Sequence, residues 1–177
     1  YAERFDKPRW GDKTPGYLTR MRRIQALLPE AHFIHLVRDG RDVALSVLPL
    51  MDRDGERHTV EDGARWWVER LKRGQRESAG IANYLEIRYE DLASEPEPTL
   101  RKICEFLVLP WDTAMLRFHE GAAQRLVVDD QSPRDAPGLS KPPNTNQIGR
   151  WREEMSPTEL ARVEEIAGQM LREYGYV

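Results

Sequence analysis

Phe33-Ile-His-Leu-Val-Arg-Asp-Gly-Arg-Asp-Val-Ala-Leu-Ser-Val47, FIHLVRDGRDVALSV, decides the fold. A short apolar run meets two arginines and two aspartates around one glycine, then turns apolar again. Asp39-Gly40 is a hairpin signal, so one reading is a pair of antiparallel strands. Two features count against it. Val43, Ala44, Val47 and Leu48 recur at helical spacing. A second strand would also set Asp42 and Ser46 on one sheet face with nothing to meet them. The other reading is a buried strand followed by a helix that Asp39 caps. Asp42 then lies in the first turn, where the helix dipole favours a carboxylate. Arg38 stands at the carboxyl end of a parallel strand, where open α/β sheets bind ligands. Ser46 comes four residues after Asp42 on the same helix face. A guanidinium and a hydroxyl at one cleft suit a phosphate, and the N–H groups of Gly40 and Arg41 are expected to add to it.

Outward from this stretch, helices and strands alternate. Thr14-Pro15 predicts one helix, with Thr14 as cap and Tyr17, Leu18, Met21, Ile24, Leu27 and Leu28 on its apolar side. Pro29 closes it. Thr59 with Asp62 forms a capping box before a long helix that Gly80 ends. Tyr84–Tyr89 (YLEIRY) reads as a second strand. Pro96 and Pro98 open another helix, and a short one comes after Asp112. Residues 129–149 hold four prolines and two glycines and read as a long loop or lid. Ser156-Pro157-Thr158-Glu159 is a second capping box, and its helix stops at Gly175. The order helix, strand, helix, helix, strand, helix predicts an α/β fold with a parallel sheet. Two strands are few for such a sheet, so further strands are either weakly patterned or outside this chain.

The 177 residues suffice for a domain with its own core. No apolar run approaches the roughly 20 residues of a membrane span, and the opening YAERFDKPRW lacks the apolar centre of a signal peptide. One cysteine, Cys104, excludes an intrachain disulfide and reads as a small core residue. These features point to a cytoplasmic, reducing setting. Net charge is −3, but residues 1–41 carry nine Lys/Arg against five Asp/Glu, a net of +4, and the remainder carries −7. A basic end on an acidic protein suits a small anionic ligand better than a nucleic acid. The four histidines are too scattered for a metal site.

VRDGRDVALS resembles the 3′-phosphate-binding motif of sulfotransferases that use 3′-phosphoadenosine 5′-phosphosulfate (PAPS). Three further segments agree in order. Trp10–Tyr17 (WGDKTPGY) resembles the GDKTP segment of bacterial and Golgi-type members. Arg88–Leu92 (RYEDL) with Leu109–Asp112 (LPWD) resembles the family's RYEDL…LPWD region. Ile148–Trp151 (IGRW) resembles the GRW segment that closes over the nucleotide. The resemblance implies an α/β, P-loop NTPase-like three-layer sandwich with a parallel sheet, incomplete at its N-terminus. It implies a single sulfotransferase-type domain over 1–177 and sulfuryl transfer from PAPS, with no metal, to a hydroxyl or amine of a small-molecule, glycan or peptide acceptor.

By the same resemblance Arg38 and Ser46 hold the 3′-phosphate and Lys13 reaches the sulfuryl group. Without the resemblance, Lys13 reads as a solvated surface lysine. Tyr89 is placed to contact the adenine side, and reads equally as a half-buried strand aromatic. Arg150 and Trp151 shape the nucleotide site from the lid; Trp151 reads equally as a staple on the last helix. Glu90 and Asp91 read as turn and cap residues. The family's glycine-rich 5′-phosphosulfate loop, of the kind RSGTT, matches nothing here. Its usual catalytic glutamate lies just beyond that loop, so the base is expected upstream; His35 is the one local candidate and points into the sheet or its covering. The chain therefore reads as the C-terminal portion of such an enzyme. The rival readings are a non-catalytic nucleotide-binding remnant and a helical interaction module.

Overall fold

The computed structural model describes residues 6, 8–52, 55–120 and 145–177. Strand β1 (Phe33–Val37) and strand β2 (Tyr84–Arg88) pair in parallel, with Phe33 opposite Tyr84 and Val37 opposite Arg88. This disposes of the hairpin. Strand β1 leads instead into helix α2 (Gly40–Met51), capped by Asp39, whose side chain accepts from the Arg41 N–H. The crossover back to β2 runs through α2 and α3 (Val60–Ser78). The Thr59–Asp62 capping box that starts α3 has both of its hydrogen bonds. Helices α4 (Tyr89–Ser94) and α5 (Pro96–Leu107) come after β2, and then a 3₁₀ turn over Thr113–Arg117. The described chain resumes with a short α6 (Trp151–Glu154), then α7 (Pro157–Glu173), which opens on the Ser156–Glu159 capping box.

The two strand faces are covered differently. Val37 packs with Trp67 and Leu71 of α3 and with Ala167, Met170 and Leu171 of α7. The pleat turns Leu85 and Ile87 to the opposite side. There α5 packs on β2 and Ile87 is buried, whereas Ile34 and Leu36 of β1 stay exposed among the described residues. A second cluster joins Ala44, Val60, Ala64, Met155 and Val163, so α2, α3 and α7 share one core. Cys104 is buried, its Sγ 3.6 Å from Met115 Sδ. No helix among the described residues is long and apolar enough to cross a membrane.

Three expectations need correction. The first helix is two pieces, a 3₁₀ turn over Pro15–Thr19 and α1 over Met21–Leu27. Thr14 stands at the N-cap of the 3₁₀ turn with Pro15 following, but its side chain makes no capping hydrogen bond; its hydroxyl donates to Asp12 Oδ2 at 2.9 Å. Tyr89 is not in the strand: β2 ends at Arg88, and Tyr89 begins α4. The Arg41 N–H is not open to a ligand, since Asp39 Oδ1 takes it at 2.9 Å. Of the loop or lid expected over 129–149, residues up to 144 lie outside the described residues.

Candidate functional site

The site grows from the end of β1. Arg38 leaves the strand and its Nη1 donates to Ser46 Oγ at 3.2 Å, two turns into α2. The Ser46 hydroxyl itself donates to the Asp42 carbonyl at 2.8 Å, which aims its lone pairs outward. The Arg38 guanidinium lies over the Tyr89 ring, 5.0 Å from its centroid, so the start of α4 forms one wall. Its Nη2 donates to the Gln147 carbonyl and lies 3.6 Å from Asp42 Oδ2. The backbone beneath is held too: the Arg38 carbonyl accepts from Trp67 Nε1 at 3.2 Å, and the Asp39 N–H donates to Glu90 Oε1 at 3.0 Å.

The 145–151 segment forms the opposite wall. Gly149, at φ +74°, occupies the left-handed region that favours glycine. Its N–H donates to Asp42 Oδ2 at 2.7 Å, and the Trp151 N–H donates to Asp42 Oδ1 at 3.1 Å. Arg150 is engaged from both sides: Nε and Nη2 fork onto Glu154 at 2.7 and 2.8 Å, and Nη1 reaches Gln147 Oε1 at 2.8 Å. The Glu154 bonds hold the Arg150 guanidinium above its ordinary pKa and Glu154 below the carboxylate range. Trp151 stacks on Arg41, 3.9 Å from ring centroid to guanidinium carbon, and packs against the Met155–Val163 cluster.

Arg41 is committed to internal partners. It binds Asp39 through Nε at 3.0 Å and Nη2 at 2.8 Å, Glu164 at 3.3 Å and the Tyr176 carbonyl at 2.9 Å. Burial works against its charge, but Asp39 and Glu164 raise its pKa on balance.

Arg38, Ser46 and Tyr89 thus meet at the end of β1, with Arg150 joined through Gln147 and the Trp151 backbone through Asp42, whereas the Trp151 ring packs on Arg41 and the α7 core, as the staple reading expects. Lys13 is exposed, and no hydrogen bond or ion pair among the described residues links it to Arg38 or Ser46. His35 is committed elsewhere, its Nδ1 2.7 Å from Tyr84 Oη and 3.3 Å from Glu86 Oε2. Sequence reasoning missed Glu90 as a brace and Asp42 as the partner of the 149–151 backbone. Their carboxylates looked like cap residues because their partners are remote in sequence. Arg38 Nε and Trp151 Nε1 are among several buried donors without a partner among the described residues, Arg88 Nε and Trp111 Nε1 being others. Buried polar groups are normally paired. An orphan guanidinium N–H beside a serine hydroxyl fits an oxyanion ligand.

A sequence model of the sulfotransferase family matches residues 1–113, and the chain belongs to that family. Protein-tyrosine sulfotransferase A of Caenorhabditis elegans is 28% identical over 176 residues, covering 96% of this chain and 45% of the relative. The Drosophila melanogaster protein-tyrosine sulfotransferase is 27% identical, covering 96% and 35%. The chain spans about half the length of such relatives, or less. The sulfotransferase domain from the curacin biosynthetic pathway superposes with a TM-score of 0.66 at 21% identity, covering 90% of this chain and 61% of that domain. The corresponding domain of the Synechococcus PCC 7002 olefin synthase gives 0.57 at 24% identity, covering 88% and 57%. These likenesses support the α/β, P-loop-like reading of the fold.

Proposed function

We propose that this chain carries the 3′-phosphate half of a PAPS site and that the whole protein transfers a sulfuryl group to an acceptor hydroxyl or amine. The observation that carries the proposal is the 3.2 Å contact of Arg38 with Ser46 where β1 passes into α2, beside an orphan guanidinium N–H. Arg38 and Ser46 would bind the 3′-phosphate, the guanidinium by charge-assisted donation and the hydroxyl as a further donor once it rotates off the Asp42 carbonyl. Tyr89 would offer its ring beside that phosphate, and the 145–151 backbone, with Arg150 once it turns from Glu154, would close the site from the other side, while the Trp151 ring stays on Arg41 and the α7 core. With PAPS bound, the acceptor oxygen or nitrogen would bond to its sulfur as the bond to the bridging phosphate oxygen breaks, adenosine 3′,5′-bisphosphate leaving and the acceptor's proton passing to a base that the residues assigned here do not supply. The bridging oxygen gathers negative charge as the bond breaks, so a fixed cation speeds the reaction without covalent catalysis. Lys13 is our candidate for that cation, on the GDKTP resemblance alone. The relatives are named as protein-tyrosine sulfotransferases, which makes a peptide tyrosine the first acceptor to try.

The test is calorimetric titration with adenosine 3′,5′-bisphosphate, then transfer of radiolabelled sulfate from PAPS to a tyrosine peptide. We expect saturable binding by the wild type. Arg38→Ala should weaken it at least tenfold, since a hydrogen bond to a charged group is worth about 1.5–3 kcal/mol. An unchanged affinity in Arg38→Ala would remove the phosphate role from this residue.

A further inference from the structure

We propose that Asp42 is a positioning residue, which hangs the 149–151 segment on α2 and so sets the distance between the two walls of the nucleotide site. The inference rests on the nucleotide reading above. Asp42 is fully buried, at 0% exposure, and is among the largest side chains sealed from solvent. Each carboxylate oxygen has its own backbone donor, Oδ2 from Gly149 at 2.7 Å and Oδ1 from Trp151 at 3.1 Å. The side chain also faces Arg38 Nη2 at 3.6 Å, and the Asp42 carbonyl accepts from Ser46 Oγ at 2.8 Å. Arg38, Ser46 and the two residues flanking Arg150 therefore all attach to this one aspartate.

Helix capping does not explain this arrangement. The helix dipole favours a first-turn carboxylate, but by itself it does not offset complete burial. Asp42 is desolvated, which costs free energy unless charged and amide donors surround it. Here they do, and each such bond is stronger than a neutral one. The geometry depends on Gly149, whose φ of +74° turns the chain so that two nearby amides meet one carboxylate. A Cβ on Gly149 would meet only the movable Arg152 guanidinium, so the cost of a side chain there is the backbone strain at positive φ. Asp42 acts through these partners and does not itself touch the ligand.

The discriminating variant is Asp42→Asn in the full chain. Asparagine offers one carbonyl oxygen where two separate oxygens accept, so one amide loses its partner and Arg38 loses its counter-charge. We expect adenosine 3′,5′-bisphosphate to bind roughly tenfold more weakly. In sulfate transfer the KM for PAPS should rise by a similar factor while the KM for the acceptor stays put. A purely structural role would lower the melting temperature and leave the KM of the folded fraction alone. Gly149→Ala attacks the same link from the other side and should weaken binding in the same direction. A folded Asp42→Asn with wild-type affinity and KM, in a protein whose Arg38→Ala variant has lost binding, overturns this inference and spares the nucleotide site. If Asp42→Asn does not fold, wild-type affinity in Gly149→Ala overturns it equally. If the wild type ignores the bisphosphate, both proposals fall together.

Discussion

Glu86 shows how one side chain is tuned by its neighbours. It accepts from Tyr84 Oη at 3.0 Å and Tyr174 Oη at 3.4 Å, and His35 Nδ1 lies 3.3 Å away. Burial pushes its carboxyl up, but the bonds from His35, Tyr84 and Tyr174 hold it below its ordinary value on balance. The same burial and the Glu86 charge raise both phenols, Tyr174 to about 12, so they remain donors. A carboxyl whose folded pKa is depressed stabilises the protein above its unfolded pKa, and that contribution is lost as pH falls through the folded value. Glu86→Gln should therefore unfold at lower urea than the wild type at pH 7. The gap should narrow as pH drops below about 4, the usual carboxylate range. Urea midpoints at a series of pH values will show it, and a gap independent of pH would rule the linkage out. The Arg38–Ser46 pairing was legible at this scale, because one strand end and two helical turns fix it. The orientation of His35 was legible only as pointing inward; its partners, Tyr84 and Glu86, both come from β2.

Among the elements, the caps were read well. Asp39, Thr59 and Ser156 each bond the N–H groups that local sequence had promised them, since capping needs only a side chain within one turn of its target. Less was visible where elements meet. Gly63 of α3 lies against the α2 backbone: a Cβ there would sit 2.6 Å from the Ala44 carbonyl oxygen and 2.8 Å from its Cα. Helix propensity alone favours alanine over glycine by about 1 kcal/mol. The contact reverses that sign, because backbone cannot retreat as a flexible side chain can. Gly63→Ala should destabilise the protein by about 1–3 kcal/mol, the usual cost of overpacking. Denaturant unfolding monitored by circular dichroism checks it, and a stabilised variant would refute the close approach. Tyr89 was misplaced for a similar reason. Its β propensity suited a strand, but the chain turns at Arg88 and the ring is used beside Arg38.

At the scale of the molecule, the C-terminal end braces the site from behind. Tyr176 Oη donates to Glu90 Oε2 at 3.0 Å, its carbonyl accepts from Arg41, and Arg88 lies over its ring at 4.3 Å. Glu90 in turn holds the Asp39 N–H where β1 passes into α2. Tyr176→Ala should cost about 2 kcal/mol of stability for a half-buried aromatic and weaken bisphosphate binding with it. Urea denaturation and titration on the same sample test both, and loss of stability with unchanged affinity would uncouple the brace from the site. By itself the sequence determined the strand, the turn and the helix around Arg38, the capped starts of the long helices, and the pairing of a guanidinium with a hydroxyl. All of these depend on neighbours within a few residues. Tertiary structure alone decided what Asp42 and Glu90 hold. The amides that Asp42 accepts lie 107 and 109 residues away, and the Tyr176 hydroxyl on Glu90 lies 86 away. A buried carboxylate must find donors, but nothing local to it says where in the chain they will come from.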